Sequence, residues 1–179
     1  MDRFLEEAAV KRDRRVEELM YWVATALMAF GALLALMNFS ALASSQNVLM
    51  DLMITVFMVV MAVYLYFFRD KLRTEYEYTF TNGQLEFAMV LNNKKRKNLG
   101  QLNVEKVDAF GRVQSGSFRR HTSSPDVKHL RWFLNRVPEK LYYFAFSKNG
   151  KKSVIVFEPS EEMVGMIKHY LPRGVYQEN

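Results

Sequence analysis

Cysteine is absent from this 179-residue chain. Disulfides and thiolate metal sites are thereby excluded. Histidine is scarce: His121, His129 and His169 lie far apart and lack the spacing of a metal-ligand set. The chain also has no Gly-x-Ser-x-Gly elbow, no glycine-rich phosphate loop and no His-Glu-x-x-His. Carboxylates are present, but none is paired for acid–base work. Glu75 and Glu77 share a strand face that reads as the solvated side of a hairpin. The expectation is a protein that is not an enzyme, with no catalytic residue, no bound metal and no cofactor.

A second absence is more informative. Two stretches, Met20–Phe39 and Val48–Phe68, contain no Lys, Arg, Glu or His, and Asp51 is their only charge. Each is long enough to rise about 30 Å as a helix, the thickness of a bilayer's hydrocarbon core. The pair reads as a transmembrane helical hairpin. The first 19 residues hold five basic side chains, and Arg69, Lys71 and Arg73 follow the second run, while the connecting Ser40–Asn47 has neither Lys nor Arg. Positive flanks stay in the cytoplasm, so both termini are expected there, at the cell membrane. Tyr21 and Trp22 open the first run and Tyr64, Tyr66, Phe67 and Phe68 close the second. These rings reach the same interface only in an antiparallel pair. The division expected is a juxtamembrane helix over 1–19, spans at 20–39 and 48–68, an external turn at 40–47 and a cytoplasmic domain over 74–172.

Rival readings of this region are weaker. Ala41-Leu42-Ala43 has the form of a signal-peptidase site, but the apolar run is too long and its leader too acidic for a signal peptide. Asn38-Phe39-Ser40 is a glycosylation sequon placed at the membrane boundary. Asp51, in the first turn of the second helix, suits the positive end of that helix's dipole. Gly31-x-x-x-Ala35 is a small-residue pair for close helix packing, within the chain in preference to between two copies.

The rest of the chain reads as one small β-rich domain. Residues 1–68 carry five basic and seven acidic side chains, net −2, whereas 69–179 carry 20 and 12, net +8. Tyr76, Tyr78 and Phe80 alternate with polar residues up to Asn82-Gly83, and Leu85, Phe87, Met89 and Leu91 alternate after it. Asn-Gly between two such runs predicts a two-residue hairpin turn, which sets Phe80 opposite Leu85 and Tyr78 opposite Phe87. A second hairpin is predicted at Leu141–Ser147 and Lys152–Glu158, turning on Lys148-Asn149-Gly150-Lys151. Shorter strands are expected at 95–99, 102–110 and 112–118, a loop over 119–140 with a helical turn near 127–135, and a helix over 159–171 with acids first and Lys168 and His169 last.

About seven strands and a C-terminal helix resemble a pleckstrin-homology-type (PH-like) barrel. The whole resembles uncharacterised bacterial membrane proteins with two N-terminal spans and a cytoplasmic PH-like domain. The matching residues are Tyr76-Glu77-Tyr78-Thr79-Phe80-Thr81-Asn82-Gly83-Gln84-Leu85, Lys94-Lys95-Arg96-Lys97 and Val156-Phe157-Glu158-Pro159-Ser160. The fold class implied is an α+β membrane protein. Phosphoinositide-binding PH domains carry basic residues at the first hairpin loop; here that loop is a bare Asn-Gly.

Lys94, Lys95, Arg96 and Lys97 are the leading binding candidates, with Arg119 and Arg120 a weaker patch. Each cation near an anionic leaflet contributes about 1 kcal/mol. The expected role is a membrane-anchored, non-catalytic binding or scaffolding protein, with an anionic-lipid sensor through 94–97 or an accessory subunit of a larger complex as alternatives. Its expected partners are the bilayer, anionic headgroups and a membrane protein; a homo-oligomer is compatible, and nucleic acid is disfavoured because the aromatics alternate as core residues do.

Overall fold

A computed structural model describes residues 3–148 and 150–177, and the chain divides into two compact units. The helical unit comprises residues 13–74 together with 91–95, and the β-rich unit comprises 1–12, 75–90 and 96–179. The β-rich unit is therefore discontinuous in sequence.

In the helical unit, α1 (Arg15–Ala41) runs into a 3₁₀ turn at Leu42–Ser44, and α2 (Val48–Leu72) follows. Both are long and apolar enough to cross a membrane. They pair antiparallel: Tyr21 near the start of α1 lies under Arg73 just past the end of α2, 3.6 Å from guanidinium carbon to ring centre. Small residues make the contact, with Ala24 and Ala35 buried, while Leu36 and Leu49 are 68% and 73% exposed. Apolar side chains are thus exposed along both helices. Of the small-residue pair, Ala35 is buried, and a Cβ built at Gly31 would meet nothing within 4 Å. Asp51 is held by the Ser45 hydroxyl, and Thr55 bonds back to the Asp51 carbonyl at 2.8 Å.

The β-rich unit has two sheets. The first has the order β1-β2-β3-β4, from β1 (Phe4–Ala9), β2 (Thr74–Thr81), β3 (Gln84–Leu91) and β4 (Lys95–Asn103). The remaining strands are β5 (Ala109–Arg112), β6 (Lys128–Trp132), β7 (Tyr142–Lys148), β8 (Lys151–Phe157) and β9 (Tyr176–Gln177). These five form the second sheet in the order β6-β8-β7-β5-β9. α3 (Gly116–Thr122) and α4 (Glu161–Tyr170) complete the unit.

The predicted Asn82-Gly83 turn is present, with positive φ of 45° and 84°. Tyr78, Phe80, Leu85 and Phe87 enter the main core with Phe110, Phe144 and Phe157. The rings pack closely, Phe87 on Trp132 at 4.7 Å and Phe110 on Phe144 at 4.6 Å. Further along β3 the expected alternation weakens, because Ala88 and Val90 on the opposite face are buried as well. The β7–β8 hairpin also forms, in the register Tyr142↔Phe157 to Lys148↔Lys151; Asn149, assigned to its turn, lies outside the described residues. The C-terminal helix is capped by Ser160, whose Oγ accepts the Met163 N–H at 3.1 Å, and it buries Met163, Val164 and Ile167.

Four expectations are corrected. The juxtamembrane helix expected over 1–19 is instead a strand at Phe4–Ala9 followed by α1 from Arg15. Leu5 and Ala9 face the core from β1, which pairs antiparallel with β2 as Leu5↔Phe80, Glu7↔Tyr78 and Ala9↔Tyr76. Residues 95–103 form one strand, and the strand expected over 102–110 is broken by a 3₁₀ turn that Asn103 caps through the Glu105 N–H at 2.8 Å. The strand expected at 112–118 gives way to α3. The helical turn expected near 127–135 is β6, parallel to β8. With these changes the described strands number nine, where about seven were expected.

Candidate functional site

The base of the helical hairpin carries a polar cluster that the basic turn joins. Asn92 and Asn93 take the left-handed conformation, with φ of 50° and 52°. Asparagine tolerates this better than most side chains. The turn closes with the Lys94 N–H donating to the Leu91 carbonyl at 3.0 Å. Asn92 then reaches the end of α2 through two groups: its backbone N–H donates to the Arg73 carbonyl at 2.7 Å, and its Nδ2 donates to Asp70 Oδ1 at 2.8 Å. Asp70 is buried, and this bond gives its carboxylate a partner.

Two arginines complete the cluster. Arg73 makes a forked ion pair with Glu18, its Nε 3.1 Å from Oε2 and its Nη2 on Oε1, and lies over the Tyr21 ring. Bidentate geometry gives such a pair more strength than a single contact. Arg69 sits over the Tyr66 ring at 5.0 Å, with Asp70 Oδ1 3.9 Å from its Nε.

The sequence-predicted basic residues divide by environment. Lys94, Lys95 and Lys97 are exposed, and the Lys95 ammonium lies 5.3 Å from the Phe67 ring centre. Arg96 is engaged within the β-rich unit, its Nε 2.9 Å from Glu77 and its Nη2 3.7 Å from Glu6. Much of its charge is matched. Arg119 and Arg120 are exposed on α3. The six candidates therefore occupy a turn, the strand that follows it and a separate helix. The anchoring residues Glu18, Arg69, Asp70, Arg73 and Asn92 escaped sequence reasoning. Arg69 and Arg73 read there only as a positive flank, and the Asn-Asn pair ahead of Lys94 was the available signal of a left-handed turn.

Two further clefts lie in the β-rich unit. One, about 300 Å³, is bordered by Glu7, Arg12, Asn135, Lys140 and Glu158. Glu7 Oε1 accepts the Ser160 N–H at 2.9 Å, and burial pushes the Glu7 carboxyl above the usual carboxylate range despite that bond. Burial likewise raises the Tyr78 hydroxyl, which donates to the Trp132 carbonyl and accepts the Glu158 N–H at 3.3 Å. A second cleft, about 260 Å³, is lined by Asp108, His121, Lys152 and Ser153 among others. Among the described residues no three His, Cys, Asp or Glu side chains cluster as a metal site.

Two apolar helices of spanning length, inserted between the first and second strands of a two-sheet domain closed by a helix, define an α+β protein with a candidate membrane module. The family model for the bacterial PH-like domain (DUF6106) matches residues 1–177, and the chain belongs to that family. No curated protein and no solved structure matches it.

Proposed function

We propose that the protein is a membrane-anchored, non-catalytic binding protein whose hairpin crosses the cytoplasmic membrane twice and presents the PH-like unit on the inner face. The observation that carries this reading is the pairing of β1 with β2. These strands lie on either side of the hairpin in sequence, so a chain that pairs them must return to the side it left. The pairing supports a hairpin that goes out and back over one that crosses once, and two apolar helices are available for it. The basic flanks favour the inside. Anchoring raises the effective concentration of the PH-like unit around other membrane proteins, so weak contacts suffice for a scaffold or an accessory subunit.

A second reading, an anionic-lipid sensor, has its own support. Lys94 and Lys95 belong to the helical unit through the Asn92 bonds to Asp70 and Arg73, and the Lys95 ammonium lies against Phe67 in the apolar run. Cations held at the edge of an apolar run are positioned for headgroups.

Topology is read directly with single cysteines, since the chain has none of its own. On intact cells an impermeant maleimide is expected to label Gln46→Cys, in the connecting turn, and to spare Ser124→Cys until lysis. Both positions are exposed. Labelling of Ser124→Cys on intact cells would refute the orientation.

A further inference from the structure

The face of the hairpin carries an apolar groove that packing within the chain leaves open. Met28, Ala32 and Phe39 of α1, with Thr55, Ala62 and Tyr66 of α2, border a volume of about 560 Å³. That lies within the roughly 300–1,000 Å³ typical of small-molecule sites. Its length follows from the antiparallel register. Tyr21 meets Arg73 and Thr25 meets Arg69, so each step outward along α1 matches one step back along α2. Met28 is then level with Tyr66, and Phe39 with Thr55. A helix rises about 16 Å over that interval, roughly half of a hydrocarbon core about 30 Å thick. The groove spans the depth of one leaflet and starts one turn beyond Arg69.

Arg69 has hydrogen-bonding capacity to spare at that end. Its side chain is only 12% exposed. Its Nε has no hydrogen-bond partner among the described residues, the Asp70 carboxylate being 3.9 Å away, and its Nη1 reaches Thr25 Oγ1 only at 3.5 Å. Buried donors normally find partners, and a guanidinium is shaped to grip a phosphate through two of its N–H groups. The Arg69 Cζ stands 5.0 Å from the ring of Tyr66, which also borders the groove. Lys95, 5.3 Å from the neighbouring Phe67 ring, adds a second cation at the same end of α2.

An apolar channel one leaflet deep with an under-satisfied cation at its mouth matches an anionic amphiphile. We propose that the hairpin binds one anionic phospholipid, its acyl chain in the groove between α1 and α2 and its phosphate on Arg69. The inference rests on the membrane reading above. A helix from a second copy would fill the apolar part but would leave the Arg69 donor unanswered.

The test is native mass spectrometry of the full chain from mild detergent, with phosphatidylglycerol and phosphatidylcholine added in equal amounts. A single phosphatidylglycerol adduct is expected, favoured about tenfold over phosphatidylcholine. Arg69→Gln should erase that preference. Ala62→Phe, which fills the groove and leaves Arg69 in place, should remove the adduct and guards against a folding defect in the arginine variant. Equal retention of both lipids, or an adduct that survives Ala62→Phe, would overturn the proposal. So would a dimer dispersed by Ala62→Phe, which would assign the groove to a second copy. Loss of lipid preference with intact Gln46→Cys labelling defeats only the lipid site, whereas failure of the labelling defeats the membrane reading itself.

Discussion

Asn92 fills its role with three groups of one small residue: a backbone that accepts positive φ, an N–H for the Arg73 carbonyl and an amide for Asp70. Glu7 shows the opposite case, a charge held where burial disfavours it. Because its folded pKa lies above its unfolded one, the unfolded chain releases the proton first as pH rises. Glu7 therefore supports the fold most below the ordinary carboxylate value, and that support is lost as pH climbs through the raised folded value. Glu7→Gln keeps an acceptor for the Ser160 N–H and removes the titration. The variant is expected to be as stable as wild type or more so at pH 7, with a flatter stability profile over the weakly acidic range in denaturant melts. A steeper profile would contradict the assignment.

At the scale of elements, close backbone approach decides what is fragile. β9 runs parallel to β5 across Gly111, where an added Cβ would stand 2.6 Å from the Gln177 carbonyl oxygen. Backbone cannot yield as a flexible side chain does, so Gly111→Ala should displace β9 and cost about 1–3 kcal/mol, read by thermal melts and by faster amide exchange near 176. Local pairing was also what made elements legible in the sequence. The Asn82-Gly83 hairpin, the β7–β8 hairpin and the capped α4 each declare themselves within a few residues of chain. β1 and β6 do not, since their partners lie about 70 and 25 residues away and β6 pairs in parallel. The apolar run Leu141–Phe146 held an unused clue. Tyr142 and Phe144 enter one core while Tyr143 and Ala145 enter another beneath Val127 and Phe118, so β7 is buried on both faces. Such strands read as continuous apolar runs and carry no alternation. The candidate site was legible as four basic letters but not as a cluster, because its anchors come from three distant segments, 18, 69–73 and 92.

For the whole molecule, the discontinuity of the β-rich unit is the main consequence. A fragment starting at residue 74 lacks β1 and exposes the β2 edge together with part of the core that Leu5 and Ala9 cover. Such an edge is an aggregation hazard. Joining Arg12 to Glu75 by a short polar loop keeps both strands and deletes the apolar helices. This fusion is expected to be soluble and cooperatively folded, and residues 74–179 alone to aggregate or melt many degrees lower. Equal behaviour of the two would remove β1 from the fold.

The pairing of a strand before the hairpin with a strand after it is the claim on which the architecture turns, and cross-linking reads it in native membranes. Glu6 faces Thr79 in the β1–β2 register, and the chain supplies no competing thiol. Glu6→Cys/Thr79→Cys should form an intrachain disulfide on mild oxidation of membrane vesicles, scored by loss of both thiols to a maleimide mass tag. The displaced pair Glu6→Cys/Glu77→Cys should form it far less. No disulfide in the first pair, or equal yield in the second, would contradict a domain completed across the hairpin.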